Sequence, residues 1–126
     1  MSQGLRIAPP EAPRTGYLYG KGVYFADMAG KSAPYACPEL SNKTGLFLLC
    51  DVACGKSRSM YDTDMNADLN LPKDCQSTQC IGSHLPDPKG DKIIDKDVTV
   101  PLGKVILNPD KKANRYHNEF VVYSVD

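Results

Sequence analysis

Residues Gly20–Tyr35 read G-K-G-V-Y-F-A-D-M-A-G-K-S-A-P-Y and carry the strongest local signals of the chain. Two glycines around a lysine lead into the β-prone run Val23–Phe25, which predicts a short strand. Asp27 follows, and aspartate is a favourable residue at the beginning of a helix. Because Gly30 and Pro34 would weaken a regular helix, we expect the helix after this turn to be short or kinked.

The same turn carries side chains that suit a flat ligand. Tyr24, Ser32 and Tyr35 surround it, and the last two share a helix face if the helix forms, since they are three residues apart. An electron-poor ring can stack on either tyrosine while the serine hydroxyl binds its amide group. On spacing alone, ordinary packing is the more common use of such aromatic residues, so both interpretations stay open here.

Length and charge restrict the classes of function. A chain of 126 residues forms at most one domain, which we place at residues 1–126. Its 15 basic and 15 acidic side chains leave no net charge, so this segment is not expected to bind nucleic acid. No apolar run is long enough for a membrane span, and the first residues lack the apolar stretch of a signal peptide. The sequence thus predicts a soluble intracellular protein.

The five cysteines indicate reduced thiols, since none belongs to a C-x-x-C pair. Cys50 and Cys54 lie in an apolar run and are interpreted as small core residues, not as nucleophiles. Cys75 and Cys80 share a predicted loop, but no second Cys/His pair completes a zinc site, because the two histidines are far apart in sequence.

Polar side chains alternate along one turn-rich segment: Asp62, Asp64, Asn66 and Asp68. The spacing is similar to that of a calcium-binding loop, which needs glycine at its sixth position and glutamate at its twelfth. Ala67 and Lys73 occupy those positions. We therefore expect a solvated acidic loop and no metal site.

The longest strand signal lies at Gly45–Gly55, which reads G-L-F-L-L-C-D-V-A-C-G. Both faces of an extended chain here would be largely apolar, the pattern of a strand buried in the centre of a sheet. We therefore predict a central, mostly buried strand in which Leu48 and Val52 are hidden from solvent.

The remaining segments predict shorter elements. Gly4–Ala8 is a candidate edge strand, and three prolines make Pro9–Gly20 a stiff loop. Lys56–Asp97 is polar and rich in turn residues, and Asp97–Leu107 fits an edge strand or a bulge around a proline. Glu119–Val125 is predicted as the last strand. Short strands with one helix predict an α+β domain dominated by a mixed or antiparallel sheet.

Glu119 places a carboxylate at the beginning of that last strand. From the residues alone, two interpretations are open. The side chain is exposed at a fraying end, which is favoured without further information, or it is held at the mouth of a site.

Several stretches resemble the catalytic domain of the poly(ADP-ribose) polymerases, in particular their DNA-damage-responsive nuclear members. Gly20–Tyr35 resembles the nicotinamide-pocket segment, and G-L-R-I-A-P-P-E-A-P at Gly4–Pro13 resembles the donor-site loop. V-P-L-G at Val100–Gly103 and Y-H-N-E-F-V-V-Y at Tyr116–Tyr123 resemble the C-terminal catalytic strand region. These matches follow the family's order and cover most of the chain. The match is weakest in the middle, where Ser77–Pro88 fits the family's loop only loosely.

The resemblance implies an ADP-ribosyltransferase-like sheet with one short helix after the Tyr24 strand. It also implies a glycosyltransferase reaction in which nicotinamide is cleaved from NAD and ADP-ribose is transferred to a protein or a growing chain, without a metal. Glu119 matches the family's catalytic glutamate, which goes with polymer formation. The other matched positions belong to the binding of NAD and the acceptor: Tyr24, Ser32 and Tyr35 at the nicotinamide ring, Tyr17 on the loop near it, Arg6 on the adenosine side, and Lys31 on the acceptor side.

The resemblance further implies a nuclear protein whose partners are NAD and acceptor proteins, and it leaves binding of damaged DNA to other domains of a longer parent. In the family, a histidine followed by glycine lies upstream of the segment matched by Gly4, which here follows only three residues. We therefore expect a fragment, incomplete at both ends, with little activity of its own. The alternative is a non-catalytic nucleotide-binding or scaffold module, or a truncated gene product.

Overall fold

The computed structural model describes residues 4–36 and 43–125. Its described residues divide into two compact units. Unit 1 comprises residues 4–25, 54–81 and 119–125, and unit 2 comprises residues 26–36, 43–53 and 82–118. No helix within these described ranges is long and apolar enough to cross a membrane.

Short strands and one short helix make up the regular structure of the described residues. In chain order the strands are β1 (Val23–Phe25), β2 (Ser57–Met60), β3 (Ser77–Cys80), β4 (Gly82–Pro86), β5 (Lys92–Ile94), β6 (Val98–Val100), β7 (Val105–Leu107), β8 (Arg115–His117) and β9 (Glu119–Val122). Helix α1 (Ala29–Ser32) follows β1, and 3-10 turns lie at Ala33–Ala36 and Pro88–Gly90. The predicted α+β class, with one short helix after the Tyr24 strand, is confirmed.

Strand β9 lies inside the four-stranded sheet of unit 1, whose order is β1-β9-β3-β2. It pairs antiparallel with β1 and with β3, where Cys80 stands opposite Glu119, and β2 joins β3 in parallel. A strand paired on both edges satisfies its backbone polar groups within the sheet. The strand predicted at Val23–Phe25 is confirmed, and the last predicted strand is confirmed but ends at Val122.

The core of unit 1 consists of completely buried side chains, two of them from β3 and β9: Tyr19, Ala67, Cys80 and Val121. The Tyr19 hydroxyl lies 2.7 Å from the Cys80 sulfur. Tyr123 packs against the core and donates its hydroxyl hydrogen to the Tyr19 carbonyl oxygen at 2.7 Å. Because these polar tips have partners, the aromatic rings can be buried without leaving a hydroxyl unsatisfied.

Unit 2 contains α1 and two small sheets. Strand β4 pairs antiparallel with β7 and parallel with β8, while β5 and β6 form a two-stranded antiparallel sheet. Helix α1 begins after Met28, one residue later than the predicted cap at Asp27, and changes to a 3-10 turn at Ala33, just before Pro34. The expectation of a short or kinked helix is therefore confirmed.

The central strand predicted at Gly45–Gly55 is wrong. This segment forms no strand, Leu48 is 61% exposed and Leu49 is completely exposed. Cys50 is exposed as well, so its interpretation as a core residue is also wrong, while Cys54 is only partly buried. A central strand needs a hydrogen-bonding partner on each edge, and none of the described strands pairs with this segment. The apolar pattern indicated that the segment is hydrophobic, but it could not indicate whether neighbouring strands are available to pair with it.

Three further predictions need correction. The edge strand at Gly4–Ala8 does not form, although Pro9–Gly20 is a loop as predicted. The polar segment Lys56–Asp97 contains β2 to β5, and Asp97–Leu107 divides into β6 and β7, which belong to different sheets. The sequence missed β3 because its buried residues include Ser77 and Thr78, so burial here does not follow an apolar pattern.

Candidate active site

The structure divides the predicted site residues between the two units. Unit 1 carries Arg6, Tyr17, Tyr24 and Glu119, and unit 2 carries Lys31, Ser32 and Tyr35. The common pocket predicted for Tyr24, Ser32 and Tyr35 therefore stays a prediction.

Glu119 is a buried carboxylate at the first position of β9. Its exposed fraction is 8%, so the frayed, exposed end favoured by the residues alone is wrong. Glu119 pairs with Cys80 of β3, and the three residues after it are paired on both edges, which fixes the backbone from which the side chain projects. A carboxylate held on such a strand is positioned before any ligand arrives, the condition under which it stabilises developing positive charge most effectively.

Tyr24, on the neighbouring strand β1, has a hydroxyl that is committed to the backbone. It donates to the Gly20 carbonyl oxygen at 2.7 Å and accepts from the Tyr19 amide at 3.0 Å. Burial raises the pKa of Tyr24 to about 12, and the charge of Glu119 adds to the increase, so the phenol is neutral at physiological pH. The Tyr17 ring lies 6.5 Å from the Tyr24 ring, centre to centre, at 45°. The ring of Tyr24, rather than its hydroxyl, is the part suited to hold a ligand.

Lys21 is a buried cation that the sequence did not single out. Lys21 is only 5% exposed, and its Nζ donates to the carbonyl oxygens of Pro9 and Pro10 at 2.6 and 2.7 Å. The ammonium thereby fixes the first turn of the loop Pro9–Gly20, where prolines remove other donors. No local pattern links a lysine to carbonyl groups eleven and twelve residues upstream, so sequence could not reveal this contact.

A pocket of about 390 Å³ opens in unit 1 beside this loop. Its walls contain both apolar and charged side chains: Ile7, Ala8, Pro10, Arg14, Lys21, Asp68, Leu69 and Tyr123. Arg6, the predicted residue on the adenosine side, directly precedes Ile7 and is exposed. The pocket thus combines apolar walls with charged side chains that hydrogen bonds hold in place, a combination typical of ligand pockets.

In unit 2, the predicted nicotinamide and acceptor residues lie on α1 and the 3-10 turn after it. Ser32 is half-buried at the end of α1, and Tyr35 is 75% exposed in the turn. In a 3-10 turn, residues three apart lie above one another, so the transition at Ala33 keeps Ser32 and Tyr35 on one side. The Lys31 ammonium lies 5.8 Å from the centre of the Tyr35 ring, within the range of a cation–π contact.

Asn118, the residue before Glu119, anchors the turn that leads into α1. Its amide donates to an Asp27 carboxylate oxygen at 2.7 Å and its oxygen accepts from the Gly82 amide at 2.8 Å. Asn118 is 6% exposed, so both bonds are shielded from water. Burial raises the pKa of Asp27, although the bond from Asn118 opposes that increase. Asp27 was expected to cap the helix, but the cap position is Met28, and the Asp27 carboxylate accepts from Asn118 instead.

The two histidines, far apart in sequence, stand opposite each other on β4 and β8. The His84 ring stacks on Tyr116 at 3.9 Å, and His117 meets the same tyrosine edge-on at 4.6 Å. Among residues 4–36 and 43–125, no group of three or more His, Cys, Asp or Glu side chains is arranged to hold a metal ion.

Comparison with known proteins defines the class. The family model of the poly(ADP-ribose) polymerase catalytic domain matches residues 1–126, and the chain belongs to this family, as the sequence motifs predicted. It is 50% identical to poly [ADP-ribose] polymerase 2-A of Oryza sativa subsp. japonica, an alignment that covers 100% of the chain and 19% of the relative.

More distant relatives give the same result. Identity is 47% to poly [ADP-ribose] polymerase 2 of Arabidopsis thaliana, over 100% of the chain and 20% of the relative. It is 44% to poly [ADP-ribose] polymerase 1 of Gallus gallus, over 99% of the chain and 12% of the relative. The chain thus spans about a fifth or less of the length of these relatives.

Proposed function

We propose that this chain contributes to the active site of an NAD-dependent ADP-ribosyltransferase that builds poly(ADP-ribose). The reaction breaks the bond between nicotinamide and ribose in NAD and forms a bond from the ribose carbon to an acceptor oxygen. Nicotinamide leaves as a neutral ring, and the acceptor gives up a proton. What supports the proposal is membership of the catalytic-domain family together with one observation, the buried Glu119 on the doubly paired strand β9.

Glu119 is the proposed catalytic residue. Loss of nicotinamide leaves a transition state with oxocarbenium character at the ribose carbon, as in glycoside cleavage. A carboxylate close to the ribose orients the sugar hydroxyls and stabilises this positive charge. The same carboxylate can accept a hydrogen bond from the incoming acceptor hydroxyl and so increase its nucleophilicity.

The nicotinamide ring is proposed to stack on Tyr24 and Tyr35, while the Ser32 hydroxyl binds its carboxamide and fixes the orientation of the scissile bond. The backbone bonds of the Tyr24 hydroxyl support a role for its ring, because they hold the ring in one orientation. Lys31 is proposed to lie on the acceptor side.

The loop Pro9–Gly20 is proposed to cover the bound dinucleotide, with Tyr17 near nicotinamide and Arg6 towards adenosine. Prolines and the Lys21 contacts restrict the loop before NAD binds. A restricted loop loses less conformational entropy on binding than a flexible one, and more of the contact energy remains as affinity.

Partners and location follow from the same proposal. NAD is the substrate, proteins are the acceptors, and the protein is nuclear. With 15 basic and 15 acidic residues, this segment offers no excess positive charge for nucleic acid, and DNA contacts are assigned to other parts of a longer protein.

Nicotinamide release from NAD by the full-length protein tests the proposal. Glu119→Gln keeps the size of the side chain but removes its charge, and we expect the rate to fall by about a hundredfold or more. The matched control is Asp74→Asn, which removes an exposed carboxylate paired with Lys56 in the same unit and should leave the rate unchanged. Equal rates for the two variants would contradict the proposal. NAD binding without turnover by the wild-type protein would favour a non-catalytic module.

A further inference from the structure

The acidic segment 62–68 lies against the loop Pro9–Gly20 in unit 1. Arg14, in the middle of the loop, donates to both carboxylate oxygens of Asp68, at 2.6 and 3.1 Å. The same guanidinium donates to the Met65 carbonyl oxygen at 2.9 Å. A planar guanidinium that meets a carboxylate at two points is fixed in orientation as well as in position.

A second contact ties the end of the loop to the same segment. The Asp64 amide donates to the Leu18 carbonyl oxygen at 3.0 Å. Gly20, two residues after Leu18, has φ +81°, and a Cβ atom there would collide with the Asp68 carboxylate. The segment itself is anchored, since Ala67 is completely buried in the core of unit 1. The loop is therefore attached to a fixed part of the unit.

The Arg14–Asp68 pair differs from an ordinary surface ion pair. The Arg14 and Asp68 side chains are only 27% and 15% exposed. Burial acts to raise the pKa of Asp68, but the hydrogen bond and the charge of Arg14 outweigh it, and the pKa lies below its ordinary value. The carboxylate is thus ionised at neutral pH, where it can pair with Arg14.

We propose that Asp68 is a positioning residue for NAD binding, which acts through Arg14 to hold the loop Pro9–Gly20 in its substrate-covering conformation. This inference rests on the proposed function, because the loop's contact with NAD comes from there. Lys21 fixes the first turn of the loop, and the Asp68–Arg14 pair fixes its middle. Neither Asp68 nor Arg14 is required to touch the reacting atoms, so loss of the pair should weaken NAD binding and leave the chemical step intact.

Steady-state kinetics of the full-length protein tests this role. Asp68→Asn keeps the shape but removes the charge, and we expect the KM for NAD to rise about five- to tenfold while kcat stays within about twofold. Arg14→Lys keeps a charge but loses the two-point contact, and should give an intermediate rise. Asp74→Asn removes an exposed pair of the same unit and should keep the wild-type KM.

Amide hydrogen exchange supplies a measurement that does not depend on NAD. The Ala12 and Tyr17 amides bond within the loop, to the Pro9 and Arg14 carbonyl oxygens. They should exchange faster in Asp68→Asn than in the Asp74→Asn control. If Asp68→Asn lowers the melting temperature, Arg14→Lys decides the same question, because it leaves the Asp68 carboxylate in place.

An unchanged KM for NAD in both Asp68→Asn and Arg14→Lys, or a fall in kcat at constant KM, would overturn the inference. So would unchanged exchange of the loop amides. Faster loop exchange in a protein whose wild type does not consume NAD would instead leave the role of Asp68 in the loop intact and reject the proposed function.

Discussion

Two stretches with strong strand signals differ in this protein, because Glu119–Val122 forms a strand and Gly45–Gly55 does not. The first is paired on both edges and buries Val121 completely. The second is longer and more apolar, yet it forms no strand and leaves Leu48 exposed. The difference lies in their partners, because β9 has β1 and β3 beside it and no described strand pairs with the second stretch. Hydrogen-bonding partners, not hydrophobicity alone, decide whether a stretch becomes a buried strand.

The largest effect is expected on the free energy of unfolding of the 126-residue chain, when a charge is introduced at a buried position and, for comparison, at an exposed one. Val121→Asp places an unpaired charge in the core and should lower the free energy of unfolding by about 3–5 kcal/mol. Leu48→Asp places the same charge at an exposed site and should change it by no more than about 0.5 kcal/mol. Urea unfolding followed by circular dichroism measures both.

Similar losses in the two variants would break the comparison, since they would show that Leu48 is covered in solution. Val121→Ala provides a milder version of the core change. It keeps the site apolar, and its loss should lie between those of the two aspartate variants.

Sequence patterns found the elements whose signals are local. Val23–Phe25 is β-prone and is followed by a proline-weakened helix, and both were predicted within a residue or two. Strands β2 and β3 were missed because their sequences, S-R-S-M and S-T-Q-C, are polar. Strand β3 buries Ser77 and Thr78, whereas β2 is only partly buried and is held by its pairing with β3. Where pairing with a distant strand determines whether a segment becomes a strand, the local sequence pattern does not predict it.

A smaller, pH-dependent effect concerns Asp27, whose carboxylate accepts a hydrogen bond from Asn118, the residue just before β9. Burial raises the pKa of Asp27 in the folded state, so its ionised form destabilises the fold at pH values above the folded pKa. This cost disappears as the pH falls below the unfolded value, about 4. Asp27→Asn should therefore be more stable than the wild type at pH 7, and the advantage should vanish near pH 3.5.

The control for this measurement comes from the other stretch. Asp51→Asn changes an exposed carboxylate within Gly45–Gly55 and should leave the unfolding free energy unchanged at both pH values. A stability advantage of Asp27→Asn that persists undiminished at low pH would show that the Asp27 carboxylate is not disfavoured by burial.

The candidate site was predictable to the same extent as the fold. Glu119 and Tyr24 could be proposed as site residues because they belong to stretches that resemble contiguous motifs of the family, and their roles stay predictions. Lys21, the Arg14–Asp68 pair and Asn118 could not, because each acts on a group that is distant in sequence. Motifs thus lead to the residues for which a chemical role is proposed, whereas contacts between residues distant in sequence emerge only from the folded chain.

The length of the chains formed from NAD tests the central claim most directly, namely that Glu119 is the catalytic carboxylate of a poly(ADP-ribose)-forming enzyme. The full-length wild-type protein and Asp74→Asn, incubated with NAD and resolved on a gel, should both form long chains. Glu119→Gln should add single units at most. Long chains made by Glu119→Gln would contradict the account.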